Sequence, residues 1–156
     1  MATQYTAGLS SGQVLTAATM NSIGAAWETW TPAITASTTN PTLGTGGGTS
    51  GRYGRINKTV FGNLLIAFGT SGTAQGTGFY FVSLPVTAQG SGAPIGVGTM
   101  LDSSTSTLRN CVAVLDSTSR MALWLDNTTN FAVAATNPWT WSANDFIRVT
   151  FQYEAA

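Results

Sequence analysis

The chain has 156 residues, 43% of them hydrophobic and only 8% charged, with no net charge and no histidine. That length suits one domain with a real core, and a charged share far below the usual ~25% leaves no basic stripe for nucleic acid and no polybasic patch for a membrane surface. Without histidine there is no Ser-His-Asp or Cys-His nucleophile, no histidine general base and no histidine zinc site.

Residues 1 to about 30 differ from the rest, carrying Glu28 as their only charged side chain. Thr16 can cap a helix over residues 17–26, with Leu15 placed to staple against Met20. Met20, Ile23 and Trp27 follow at helical spacing. So short a helix is marginal alone in water, so an anchoring role is expected, with Leu9, Val14, Leu15, Met20, Ile23 and Trp27 burying against a partner and ordering on docking. Gly8 to Gly12 spell G-x-S-x-G, which without histidine supports no elbow chemistry. The start of the chain lacks the basic and apolar regions of a signal peptide, and no apolar run reaches the length of a membrane span.

The second unit, residues 31–156, reads as β. Gly46, Gly48 and Gly51 spell G-x-G-x-x-G, but the fingerprint needs a strand before it, a helix after it and an acid about 20 residues on. Upstream lies the polar run Thr35 to Pro41, downstream aromatic and β-branched residues around an Asn57-Lys58 turn, and no acid occurs between Glu28 and Asp102. The glycines are therefore expected to be a flexible lead-in to a hairpin strand. Arg52, Arg55 and Lys58 are half of all basic residues; they form either a solvated hairpin face or a contact for another subunit or an acidic glycan.

Further strands follow. Val60, Leu64, Ile66 and Phe68 share one parity, with Gly62 as a bulge or close approach. Gly78 to Leu84 stops at Pro85. Ile95, Val97, Thr99 and Leu101 alternate with small residues, and Cys111, the only cysteine, sits in an apolar run as a small buried hydrophobe, offering neither a disulfide within the chain nor a thiolate cluster. The cleanest alternation sets Ile147, Val149, Phe151 and Tyr153 against Arg148, Thr150 and Gln152. Leu-Asp followed by Ser, Thr or Asn recurs at Leu101, Leu115 and Leu125, and each such aspartate can bond its own backbone and reverse the chain. Three corners at short spacing describe a meander, so the expected fold is all-β, an antiparallel β-sandwich or jelly roll preceded by a short extended or helical N-terminal anchor. Trp124, Trp139 and Trp141 are candidates for stacking on sugar rings, with core or interface packing as the competing role; an extended Trp139-Thr140-Trp141 puts two indoles on one face.

Several stretches, in order, resemble structural proteins of tailed bacteriophages. Leu9 to Asn21 (LSSGQVLTAATMN) resembles their "AGQVLTAAxMN" opening, Trp30-Thr31-Pro32 the start of their β domain, and Gly51 to Val60 (GRYGRINKTV) their "GRYxRxGKTV" hairpin, with Asn57 in place of the usual glycine. Leu84-Pro85-Val86 and the ending Asp145 to Ala156 complete the pattern. The resemblance implies a virion surface protein of the minor tail, tail-fibre or head-decoration type: a homotrimer of β-sandwich domains held to capsid or tail proteins through residues 1 to 30. With no shaft repeat and no heptads, a compact knob or capsid decoration fits better than a long fibre. The expected function is thus structural and non-enzymatic, with no catalytic residues, metal or cofactor, and with a contribution to host adhesion. The alternative is a glycan- or receptor-binding module, using Arg52, Arg55, Lys58 and the three tryptophans. A carboxylate-pair depolymerase ranks last, because the four aspartates all flank turns.

Overall fold

The computed structural model describes residues 26–126 and 131–156. The expected helix near 17–26, the G-x-S-x-G run and the expected anchoring residues Leu9, Val14, Leu15, Met20 and Ile23 lie outside the described residues. Within them the chain is all-β, without helix. Nine strands follow in order: β1 Glu28–Trp30, β2 Ile34–Ala36, β3 Gly48–Ile56, β4 Thr59–Ala67, β5 Tyr80–Ser83, β6 Pro94–Asp102, β7 Thr107–Ser117, β8 Arg120–Trp124 and β9 Phe146–Glu154.

All nine join one antiparallel sheet in the order β1-β3-β4-β9-β6-β7-β8-β5-β2. The two edge strands are neighbours in sequence. Laid flat, nine strands about 4.8 Å apart would separate the edges by about 38 Å. Four residue steps, from Trp30 to Ile34, span at most about 14 Å. The sheet must therefore curl around its apolar face, and that face carries the core. Ala33 ties the link down, its N–H donating to Ser83 Oγ (2.9 Å) and its carbonyl accepting from Ser83 N–H (3.0 Å).

Strand β9 sits in the middle, and its alternation is the expected one: Ile147, Val149, Phe151 and Tyr153 are buried, while Arg148, Thr150 and Gln152 are exposed. In β4, Val60, Leu64 and Ile66 face the same core. Gly62 is a close approach rather than a bulge, because the register with β3 and β9 runs unbroken past it. A Cβ there would lie 2.6 Å from the Arg52 carbonyl oxygen and 2.7 Å from the Phe151 ring.

Strand β6 departs from the expected pattern. Its register against β7 shifts between Pro94 and Gly96, and a one-residue bulge moves every later side chain to the other face. Ile95 stays buried, but Val97 is exposed and Met100 takes the core position. The meander of β6, β7 and β8 is as expected. At its first corner Asp102 Oδ1 accepts from Ser104 N–H (2.9 Å) and Ser104 Oγ (2.6 Å), and Oδ2 from Thr105 Oγ1 (2.8 Å). At its second, Asp116 pairs with Arg120 at 2.6 Å.

The glycine run is pinned rather than loose. Thr45 N–H donates to Ser71 O, Gly69 N–H to Leu43 O and Thr70 N–H to Thr45 O, and Gly48 and Gly51 are already part of β3. The glycines thus run into a strand where the dinucleotide fingerprint requires a helix.

Candidate functional site: a depression on the outer sheet face

Directly paired residues on neighbouring antiparallel strands point to the same side of a sheet. One such row crosses seven strands: Thr29, Arg52, Asn63, Thr150, Val97, Val112 and Trp124. Every member is exposed, so the row runs across the face opposite the core. A parallel row, Ser50, Leu65, Arg148, Thr99 and Asn110, lies beside it. Together with Asp126 these rows line a depression of about 1320 Å³. A twisted sheet is saddle-shaped, so a sheet wrapped round its core can still be hollow on its outer side.

The floor is graded. Arg52 stands toward one end and Arg148 on the interior strand β9, with Asn63 on the strand between them; toward the other end come Val97 (63% exposed), Val112 and Trp124 (41% exposed), with Asp126 beside them. The Arg52 guanidinium lies 5.6 Å from the Trp27 ring centre and that of Arg148 4.5 Å from Phe146. Neither has a carboxylate within ion-pair distance among the described residues, where Asp116–Arg120 is the sole ion pair. The aromatic planes hold the two guanidinium groups without neutralising them. Trp124 is buttressed edge-on by Phe131 at 5.2 Å. Beneath the floor, Cys111 points to the core, and burial pushes its thiol up to about 12.

The residues singled out in the sequence separate on the fold. Strand alternation divides the basic cluster: Arg52 faces the depression, Arg55 lies at the opposite parity and donates from Nε to the Asn57 carbonyl (2.7 Å), and Lys58 stands in the exposed hairpin turn. Asn57 holds φ 54° there, a conformation that asparagine tolerates better than most residues. Of Trp124, Trp139 and Trp141, only Trp124 belongs to the depression. Trp141 is 2% exposed, stacked on Phe68 at 5.5 Å and donating from Nε1 to the Ala134 carbonyl (2.9 Å). Trp139 packs against it at 5.3 Å, partly buried. Residues 139–141 form no strand, so their shared parity creates no exposed aromatic face; this pair belongs to the core. Trp27 packs edge-on against Phe61 at 5.5 Å and is 47% exposed. Glu28–Trp30, inside the segment expected to anchor, is the first strand of the sheet, fastened by Tyr53 OH donating to Glu28 Oε2 at 2.7 Å. That bond, followed by burial, raises the Tyr53 phenol above its ordinary value.

The four aspartates divide between corners and core. Asp145 is fully buried, with Oδ1 accepting from Ser103 N–H (2.9 Å) and Oδ2 from Ser142 N–H (2.8 Å). No group of three or more metal-binding side chains gathers among the described residues. No known protein family, curated protein or solved structure matches the chain.

Arg148 and Asn63 are the site residues that sequence reading did not single out. Arg148 lies on the polar side of the β9 alternation; the β3–β4 pairing sets Asn63 opposite Arg52, and the β4–β9 pairing sets Arg148 one strand further across the same face.

Proposed function

We propose that this protein is a structural component of a tailed-bacteriophage particle, non-catalytic, with its β domain projecting from the capsid or tail and residues 1 to about 30 attaching it. One observation carries the reading. The stretches behind the phage resemblance that fall within the described residues are ones on which this fold depends. Trp30-Thr31-Pro32 enters the link that draws the sheet edges together. Gly51 to Val60 forms most of the β3–β4 hairpin, and Asp145 to Ala156 supplies the central strand β9. Val86 is gripped by Tyr153, whose hydroxyl donates to the Val86 carbonyl at 2.6 Å. A likeness spread over structural keystones is a likeness of architecture, and that supports kinship of the whole domain more than chance agreement of short motifs would. In this reading the particle carries the domain as a homotrimer, three copies of 16.2 kDa.

Immunogold electron microscopy of phage particles, with antibody against residues 50–156, tests this directly. Gold on shell or tail is the expected result, and deletion of residues 2–26 is expected to abolish it. Particles that stay unlabelled, or labelling indifferent to the deletion, would overturn it.

A further inference from the structure

We infer that the outer-face depression is a binding site for an acidic oligosaccharide, a glycan carrying carboxylate or phosphate groups. This rests on the depression alone and stands whether or not the protein belongs to a particle. The volume of about 1320 Å³ exceeds the ~300–1,000 Å³ of drug-sized pockets, which suits an extended ligand. The row from Arg52 to Trp124 crosses five inter-strand spacings, roughly 24 Å at about 4.8 Å each. Along it the chemistry changes from cationic to aromatic.

The charges decide the occupant. Arg52 and Arg148 are two guanidinium groups without carboxylate partners among the described residues, and guanidinium matches carboxylate and phosphate bidentately. Residues 1–25 carry no acidic side chain, so that segment of the same chain cannot neutralise them. Of the six acids a second copy could bring, Asp102 is saturated by its own turn, Asp116 is paired with Arg120, Asp145 is buried and Glu28 is bonded to Tyr53. Asp126 lies in the same depression, which leaves the exposed Glu154 as a single carboxylate against two guanidinium groups. A peptide strand finds no free edge, because the backbones from β3 to β8 pair with one another across the floor. Nucleic acid would need more than two cations in a chain of zero net charge. At the far end Trp124 offers an exposed indole for the apolar face of a pyranose, while Asp126 beside it repels a second anion there. The ligand's acid groups thus lie over Arg52 and over Arg148, and a neutral sugar ring over Trp124.

The test applies the full chain to an array of uronate-, sialate- and phosphate-bearing oligosaccharides beside neutral chains of matching length, at low and physiological salt. Retention of acidic glycans is expected, falling as salt rises. Arg52→Gln and Arg148→Gln are each expected to weaken it roughly tenfold. Trp124→Ala should abolish it, and the two arginine substitutions should leave the unfolding midpoint unchanged. Retention of neutral chains only, of none, or retention indifferent to all three substitutions overturns the proposal. Concentration-dependent shielding of Trp124 from acrylamide quenching would do so too, since a second copy would then cover the face.

Discussion

Replacing Asp145 tests whether its carboxylate works as a structural clamp. It fastens the β6–β7 turn, through Ser103, to the segment entering β9, through Ser142, and each oxygen accepts one backbone N–H with a serine hydroxyl nearby. Alanine removes both acceptors from a site with no solvent exposure. A hydrogen bond to a charged group contributes about 1.5–3 kcal/mol, and the hydroxyls can turn elsewhere, so Asp145→Ala should cost about 3–5 kcal/mol. Asparagine keeps one acceptor but turns an amide N–H₂ toward the other backbone donor, for a loss of about 2 kcal/mol. At about 2–4 °C per kcal/mol for a domain of this size, the midpoint should fall by roughly 12 °C for alanine and 6 °C for asparagine. Urea and thermal unfolding followed by tryptophan fluorescence measure both, with Trp141 as a core reporter. An asparagine variant within about 0.5 kcal/mol of the parent would refute the clamp.

Gly62→Ala should destabilise by about 1–3 kcal/mol, because the new methyl meets the Arg52 carbonyl and the Phe151 ring at under 3 Å; urea midpoints check it. The Cys111 thiol, raised to about 12 by burial, should ignore a disulfide reagent at pH 8 in the folded protein and release one equivalent per chain on unfolding, read by absorbance. Hydrogen bonds from Ser104 and then Thr105 hold the Asp102 carboxyl below its ordinary 3.8. A lowered folded value means its stabilisation is present above 3.8 and is lost as pH falls through the folded value. The thermal midpoint should therefore fall less between pH 5 and pH 2 in Asp102→Asn than in the parent, and parallel curves would contradict this.

Some of this fold was legible in the letters because single strands carry their own pattern. β9 alternates strictly, and the Asn57-Lys58 turn and the Leu-Asp corners have local chemistry that fixes them. β6 misleads because a bulge at its start reverses the parity of Val97 and Met100, and nothing in the run of small residues marks the insertion. The site was harder still. Arg52, Asn63, Thr150, Val97 and Trp124 are scattered along the chain and meet only through pairings between distant strands. Local spacing instead favoured Arg52-Arg55-Lys58, which strand alternation splits, and Trp139-Trp141, which the core absorbs.

The strand order also bears on how the domain can be made. β9 is the last of the nine in chain order, yet it lies between β4 and β6 and is the only strand hydrogen-bonded to both. Without it, the remaining pairings divide into β1-β3-β4 and β6-β7-β8-β5-β2, each with an open edge where β9 belongs. Such edges invite pairing with other nascent chains. Closure of the sheet thus waits for β9, and a chain cut short before residue 146 would keep two groups of strands without the one that joins them.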